Sequence, residues 1–168
     1  MTTAVYLDTE NIRYSCLNLW HEEPDYAALL QLSIRDSDRY TARAFLDPDQ
    51  HPQRVKNAIE AAGFDIIYTP TKVASGKKSS KADMYIAMDV LESVFENPST
   101  QEIVLCSGDG DFAKLVSKLV HKYQKIVRII AVTGSLSALL EQTGVEITQI
   151  GNHTSTSVAQ AQPAGAPS

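Results

Sequence analysis

Two acids separated by a single glycine, in Cys106-Ser107-Gly108-Asp109-Gly110-Asp111-Phe112, are the residues of this chain best placed to do chemistry. They follow an apolar run, Ile103-Val104-Leu105, and precede a helical pattern, Leu115, Val116, Leu119, Val120. Carboxylates that close repel each other unless a cation sits between them or one takes a proton. A second apolar run, Ala4-Val5-Tyr6-Leu7, ends directly in Asp8-Thr9-Glu10-Asn11. A third acid, Asp83, stands at a helix start in Lys81-Ala82-Asp83-Met84. Each occupies the kind of position that faces the ligand edge of an open α/β sheet, at the carboxyl ends of its strands. Several converging carboxylates, with no Cys or His ligand spacing, suit a hard cation such as Mg²⁺ or Mn²⁺ rather than zinc.

Each residue also has a plainer reading. Asp111 can cap the helix that starts at Phe112. Asp83 can simply meet a helix dipole. Asp8 divides evenly between a ligand and a loop starter or cap. A cap needs one acid, however, not two. Ser107 and Gly108 are small and leave backbone N–H groups open to an anion at a helix N-terminus. Asn11 can fix the Asp8 carboxylate, contact a phosphate or form a turn. Asp89 supports the site or forms an internal salt bridge. Lys72, Lys77, Lys78 and Lys81 lie in a stretch without acids and either hold phosphates or are solvated. Tyr14 and Trp20 have faces that suit unpaired bases, but packing against a core is the favoured role. The four histidines form no ligand spacing. Cys106 reads as a small buried strand residue rather than a nucleophile.

The elements that must position these groups alternate. Strands are expected over about 4–8, 40–46, 64–68, 102–106, 127–132 and 145–150. A loop carrying Arg13, Tyr14 and Trp20 follows the first strand. Helices are expected from the Asp25 cap through Ile34, over 53–62 with Gly63 just past the end, over 82–95, over 111–122 and briefly around Leu139. The Lys72–Lys81 stretch reads as a basic loop. Alternation of this kind implies a parallel sheet with helices on both faces. After Gly151 the composition turns to Ser, Thr, Ala, Gln, Gly and Pro, so 1–151 reads as one domain and 152–168 as a disordered tail.

At 168 residues the chain can bury a proper core. No apolar run approaches membrane-spanning length, so no membrane partner is expected. The N-terminus lacks the basic region of a signal peptide. Two cysteines without paired spacing point to a reducing cytoplasm. The net charge of −5 argues against a protein that coats polyanions, and leaves room for one that binds them locally.

Taken together, the segments Leu7-Asp8-x-x-Asn11-Ile12, then Lys81-x-Asp83 with Asp89 on the same helix, then Ser107-Gly108-Asp109-Gly110-Asp111-Phe112 resemble the NYN domain. The closer likeness is to its LabA-like branch, within the PIN-like nuclease superfamily. The likeness runs from Ala4 to Ile150, and departs at Thr9-Glu10, where that branch usually has Gly or another small residue. It implies a PIN-like three-layer α/β/α sandwich with a central, mostly parallel sheet. It also implies a ribonuclease that hydrolyses RNA phosphodiester bonds at an acidic Mg²⁺ or Mn²⁺ pocket. Asp8, Asp83 and Asp109 would be the primary metal ligands, with Asp111 ligating directly or through water. Asn11, Lys81 and Ser107 would position ligands or substrate. The partner implied is RNA, chiefly single-stranded. A regulatory, non-catalytic module would add protein partners or further copies of the chain. A haloacid-dehalogenase-type phosphatase fits less well, because Glu10 stands where that family needs a second Asp.

Overall fold

The structure is a computed structural model that describes residues 1–70, 72–74, 77–79, 82–151 and 156–159. Its centre is a seven-stranded sheet in the order β3-β2-β1-β6-β7-β8-β9. The strands are β1 (Thr2–Asp8), β2 (Arg39–Leu46), β3 (Asp65–Tyr68), β6 (Glu102–Cys106), β7 (Ile126–Val132), β8 (Glu146–Ile150) and β9 (Thr156–Ala159). All neighbours pair in parallel except β8 and β9. The central strands β1 and β6 are buried along nearly their whole length, as continuous apolar runs in a two-faced parallel sheet must be.

Side chains alternate across that sheet and build two cores. Val5 and Leu7 point to one face and join Ile12, Leu30 and Ile59 from α1 (Thr9–Trp20), α2 (Tyr26–Ile34) and α3 (Gln53–Ala62). Ala4 and Tyr6 point to the other and join Ile86, Val116 and Leu140 from α4 (Ala82–Glu96), α5 (Ala113–His121) and α6 (Ala138–Glu141). The result is the three-layer α/β/α sandwich. From β1 the strand order runs one way to β2 and the other way to β6. The carboxyl ends of β1 and β6 therefore flank the point where the order reverses, which is where such sheets form a crevice. No helix among the described residues is long and apolar enough to cross a membrane.

Four segments differ from expectation. The stretch read as a loop after β1 is helix α1, entered directly from Asp8. Its buried face includes Thr9, Glu10 and Arg13 beside Ile12 and Cys16, so polar residues interrupt the apolar period. The basic loop contains a short antiparallel hairpin, β4 (Lys72–Ala74) with β5 (Lys77–Ser79). The helix expected from Asp111 begins as a 3-10 turn, Gly110–Phe112, before α5. Finally, Thr156–Ala159, within the segment read as a disordered tail, pairs along β8 as β9, with Thr156 opposite Ile150 and Ala159 opposite Ile147. Pairing a strand edge satisfies backbone groups whatever the side chains are, and composition does not report that.

Candidate metal centre

Asp8 is the last residue of β1 and the residue before α1. Its side chain does not cap that helix. It turns inward and is only 5% exposed. Burial pushes its carboxyl up to about 7, and the charges of Glu10 and Asp109 push the same way. The Ser107 hydroxyl, donating to Oδ2 at 2.9 Å, and the Asn11 backbone N–H act against that rise.

The turn after β6 is wired to the start of α1. Ser107 Oγ also accepts the Asp109 N–H at 3.1 Å. Asn11 Oδ1 accepts the Gly108 N–H at 2.9 Å. Asn11 therefore fixes the acidic turn through its side chain and Asp8 through its backbone. Asp109 does serve as a cap, with Oδ1 accepting the Asp111 N–H at 2.9 Å. That leaves its other oxygen uncommitted. Asp83, in the first turn of α4, accepts the Met84 N–H through Oδ1 at 2.9 Å.

These placements bring Asp83, Asp109 and Asp111 together. One carboxylate oxygen from each lies within 4.8 Å of one from each of the others. Three carboxylates this close are the residues that would hold a divalent cation. The donors are all hard carboxylate oxygens, with no thiolate or imidazole among them, which fits Mg²⁺ or Mn²⁺. Asp8 is not a member of this triad; Ser107 links it to Asp109.

The turn is also clamped from behind. A Cβ on Gly108 would stand 2.2 Å from the Ser135 carbonyl oxygen, and one on Gly110 would stand 2.4 Å from Ser137 Oγ. The Ser137 N–H donates to the Gly108 carbonyl at 2.9 Å. The glycines let the β7–α6 loop press against the acids, a contact that no sequence spacing announced.

Other candidates have settled partners. Asp89 takes both its oxygens to Arg43 Nη1, at 2.8 and 2.7 Å, so it forms the internal salt bridge. Glu10 is 7% exposed, and its Oε1 accepts the Asp47 N–H at 2.6 Å and stands 3.4 Å from His51 Nε2. Arg13 binds Glu23 through two nitrogens and reaches His51 Nδ1 at 3.2 Å. An arginine only donates, so Nδ1 accepts and the ring proton sits on Nε2, facing Glu10. Tyr14 stacks on His51 at 5.9 Å, and Trp20 packs against the core. His51 thus organises the ground beneath Glu10, although its sequence position gave no signal. Lys81 lies outside the described residues; Lys72, Lys77 and Lys78 lie on the β4–β5 hairpin. A cavity of about 310 Å³ between α1, α2 and the end of β8 shares no residue with the acidic cluster.

The family model of the NYN domain matches residues 2–159. Among solved structures, the chain is similar to a protein of unknown function from Vibrio parahaemolyticus. The two are 23% identical with a TM-score of 0.76, over 91% of this chain and 93% of that one. At that identity the likeness shows the fold. No curated protein matches.

Proposed function

The chain belongs to the NYN domain family, within the PIN-like nuclease superfamily, and from that premise we propose that it is a metal-dependent ribonuclease acting on single-stranded RNA. The observation that carries this reading is the convergence of Asp83, Asp109 and Asp111 from α4 and the β6–α5 turn onto one point. A bound Mg²⁺ or Mn²⁺ would lower the pKa of a coordinated water and offset charge growing on the scissile phosphate.

The chain's own residues would then divide the work. Asp83, Asp109 and Asp111 would hold the cation. Asp8, beside Asp109, adds the fourth carboxylate once ionised. Ser107 keeps Asp8 and the Asp109 backbone in register through its one hydroxyl. Asn11 holds the turn closed against α1. Lys81 and the hairpin before it would draw the RNA backbone toward the acids.

The test is incubation of the protein with single-stranded RNA and Mn²⁺, beside the Asp109→Asn variant. Cleavage by the parent chain and its loss in the variant are expected. Equal cleavage by both overturns the assignment. Mn²⁺ and RNA binding without any turnover would instead select the regulatory, non-catalytic module.

A further inference from the structure

Helix α4 faces two ways. Ala82, Ile86, Val90 and Val94 are buried on the sheet at intervals of four. On the opposite side Met84, Met88 and Phe95 are 55%, 62% and 69% exposed, with partly buried Leu91 between them. Positions 84, 88, 91 and 95 are spaced four, three, four, the interval of a helix-pairing seam. A lone exposed apolar residue is ordinary, but a contiguous stripe over three turns marks an interaction surface.

We propose that this face pairs with the same face of a second copy, with the two α4 helices antiparallel. The stripe is self-complementary in that arrangement, as a two-fold interface requires. Met84 meets Phe95 of the second copy, a favourable sulfur–aromatic contact, and Met88 meets Leu91 of the second copy. Tyr85, 37% exposed beside the stripe, comes alongside exposed Glu92 of the second copy, a phenol facing a carboxylate. The like-charged pairing, Asp83 with Glu96 of the second copy, falls at the solvent-facing ends of the seam, where salt screens it. Phe95 is already held edge-on by Tyr123, with ring centroids 5.6 Å apart, so less freedom is lost on docking.

Area sets the expected strength. Allowing about 200 Å² for a fully exposed side chain of this size, Met84, Tyr85, Met88 and Phe95 offer about 450 Å² per copy. Two copies would bury about 900 Å² before Leu91 and Tyr123 are added, which belongs to weak and reversible interfaces. Because Met84 directly follows Asp83, pairing brings Phe95 of the second copy beside the acidic cluster. The second copy would then wall one side of that site, whatever chemistry the site performs.

The test is sedimentation velocity of the full chain from about 1 µM to about 500 µM, a range that brackets micromolar association. A concentration-dependent dimer is expected, with Met88→Glu weakening it at least about 30-fold. Phe95→Ser serves as a second variant should Met88→Glu lose its circular dichroism spectrum. When Met88→Cys chains are mixed with Leu91→Cys chains, mild oxidation is expected to give a covalent dimer of the two, since Cys16 and Cys106 are both buried. A monomer at every concentration, or a dimer indifferent to both surface variants, overturns the proposal.

Discussion

The two ends of β6 treat buried charge in opposite ways. At its start Glu102, 4% exposed, is answered by Arg128 of β7 with two bonds of 3.0 Å, and Thr3 donates to the same carboxylate at 3.1 Å. Arg128 gives two further N–H groups to the Leu32 and Ser33 carbonyls. At the far end the chain gathers Asp83, Asp109 and Asp111, with Asp8 tied to Asp109 through Ser107, and no Lys or Arg among the described residues forms an ion pair with any of the four. One strand thus carries a closed ionic network at its amino end and an open one at its carboxyl end. A closed network holds the fold and asks nothing of the solvent. An open one keeps its carboxylates available to a cation from outside.

The sharpest way to break this contrast is to open the closed end. Arg128→Met leaves Glu102 buried without its counter-charge, and a loss of about 3–5 kcal/mol is expected in chemical denaturation. Mn²⁺ affinity of the folded variant should not change. A parallel loss of affinity would show that the two ends are one network. The reciprocal experiment is Asp109→Asn. Mn²⁺-dependent RNA cleavage should fall about 100-fold, equivalent to about 2.7 kcal/mol. The rise in melting temperature that Mn²⁺ gives the parent chain should disappear with it. Stability without metal should hold, because an amide oxygen can still accept the Asp111 N–H.

The open end also makes a pH signature. Asp8 has its carboxyl raised, chiefly by burial, from 3.8 to about 7. A group whose folded pKa is raised stabilises fully below its unfolded value, and that contribution is lost as pH rises through the folded one. The metal-free protein should therefore lose about 2 kcal/mol between pH 5 and pH 7 from this group. In Asp8→Asn that part of the slope should vanish, as read from guanidinium unfolding at the two pH values. An unchanged slope would place the sensitivity elsewhere and leave Asp8 no more costly to bury than a paired acid.

The contrast also explains what the sequence could and could not disclose. The strands β1 and β6 were readable because apolar runs ending in acids report burial and position together. The turn Ser107–Asp111 was readable because small residues beside two acids have few other uses. Helix α1 was not, since Glu10 and Arg13 are buried against Asp47 and His51, which lie 37 and 38 residues along the chain. The clamp on Gly108 by Ser135 was unreadable for the same reason. Asp8 and Asp89 looked alike as candidate acids. Only the fold shows that one faces a serine hydroxyl in the interior and the other an arginine.

That last pair gives the smallest and most discriminating test. Arg43→Met frees Asp89 of its charge partner among the described residues, so Asp89 becomes, like the four acids of the open end, a carboxylate without a cation. The pair is part-exposed, with the two side chains at 39% and 23%, so its loss should cost less than about 1 kcal/mol. If an unpaired acid were sufficient to recruit metal, the variant would gain Mn²⁺ sites. We expect the stoichiometry by calorimetry to stay as in the parent, because solvent can hydrate a part-exposed carboxylate and Asp89 belongs to no group of three converging ligands among the described residues. An added site would mean that pairing alone separates the two ends of β6. An unchanged count would mean that convergence of several oxygens, not the mere absence of a partner, makes the open end a metal centre.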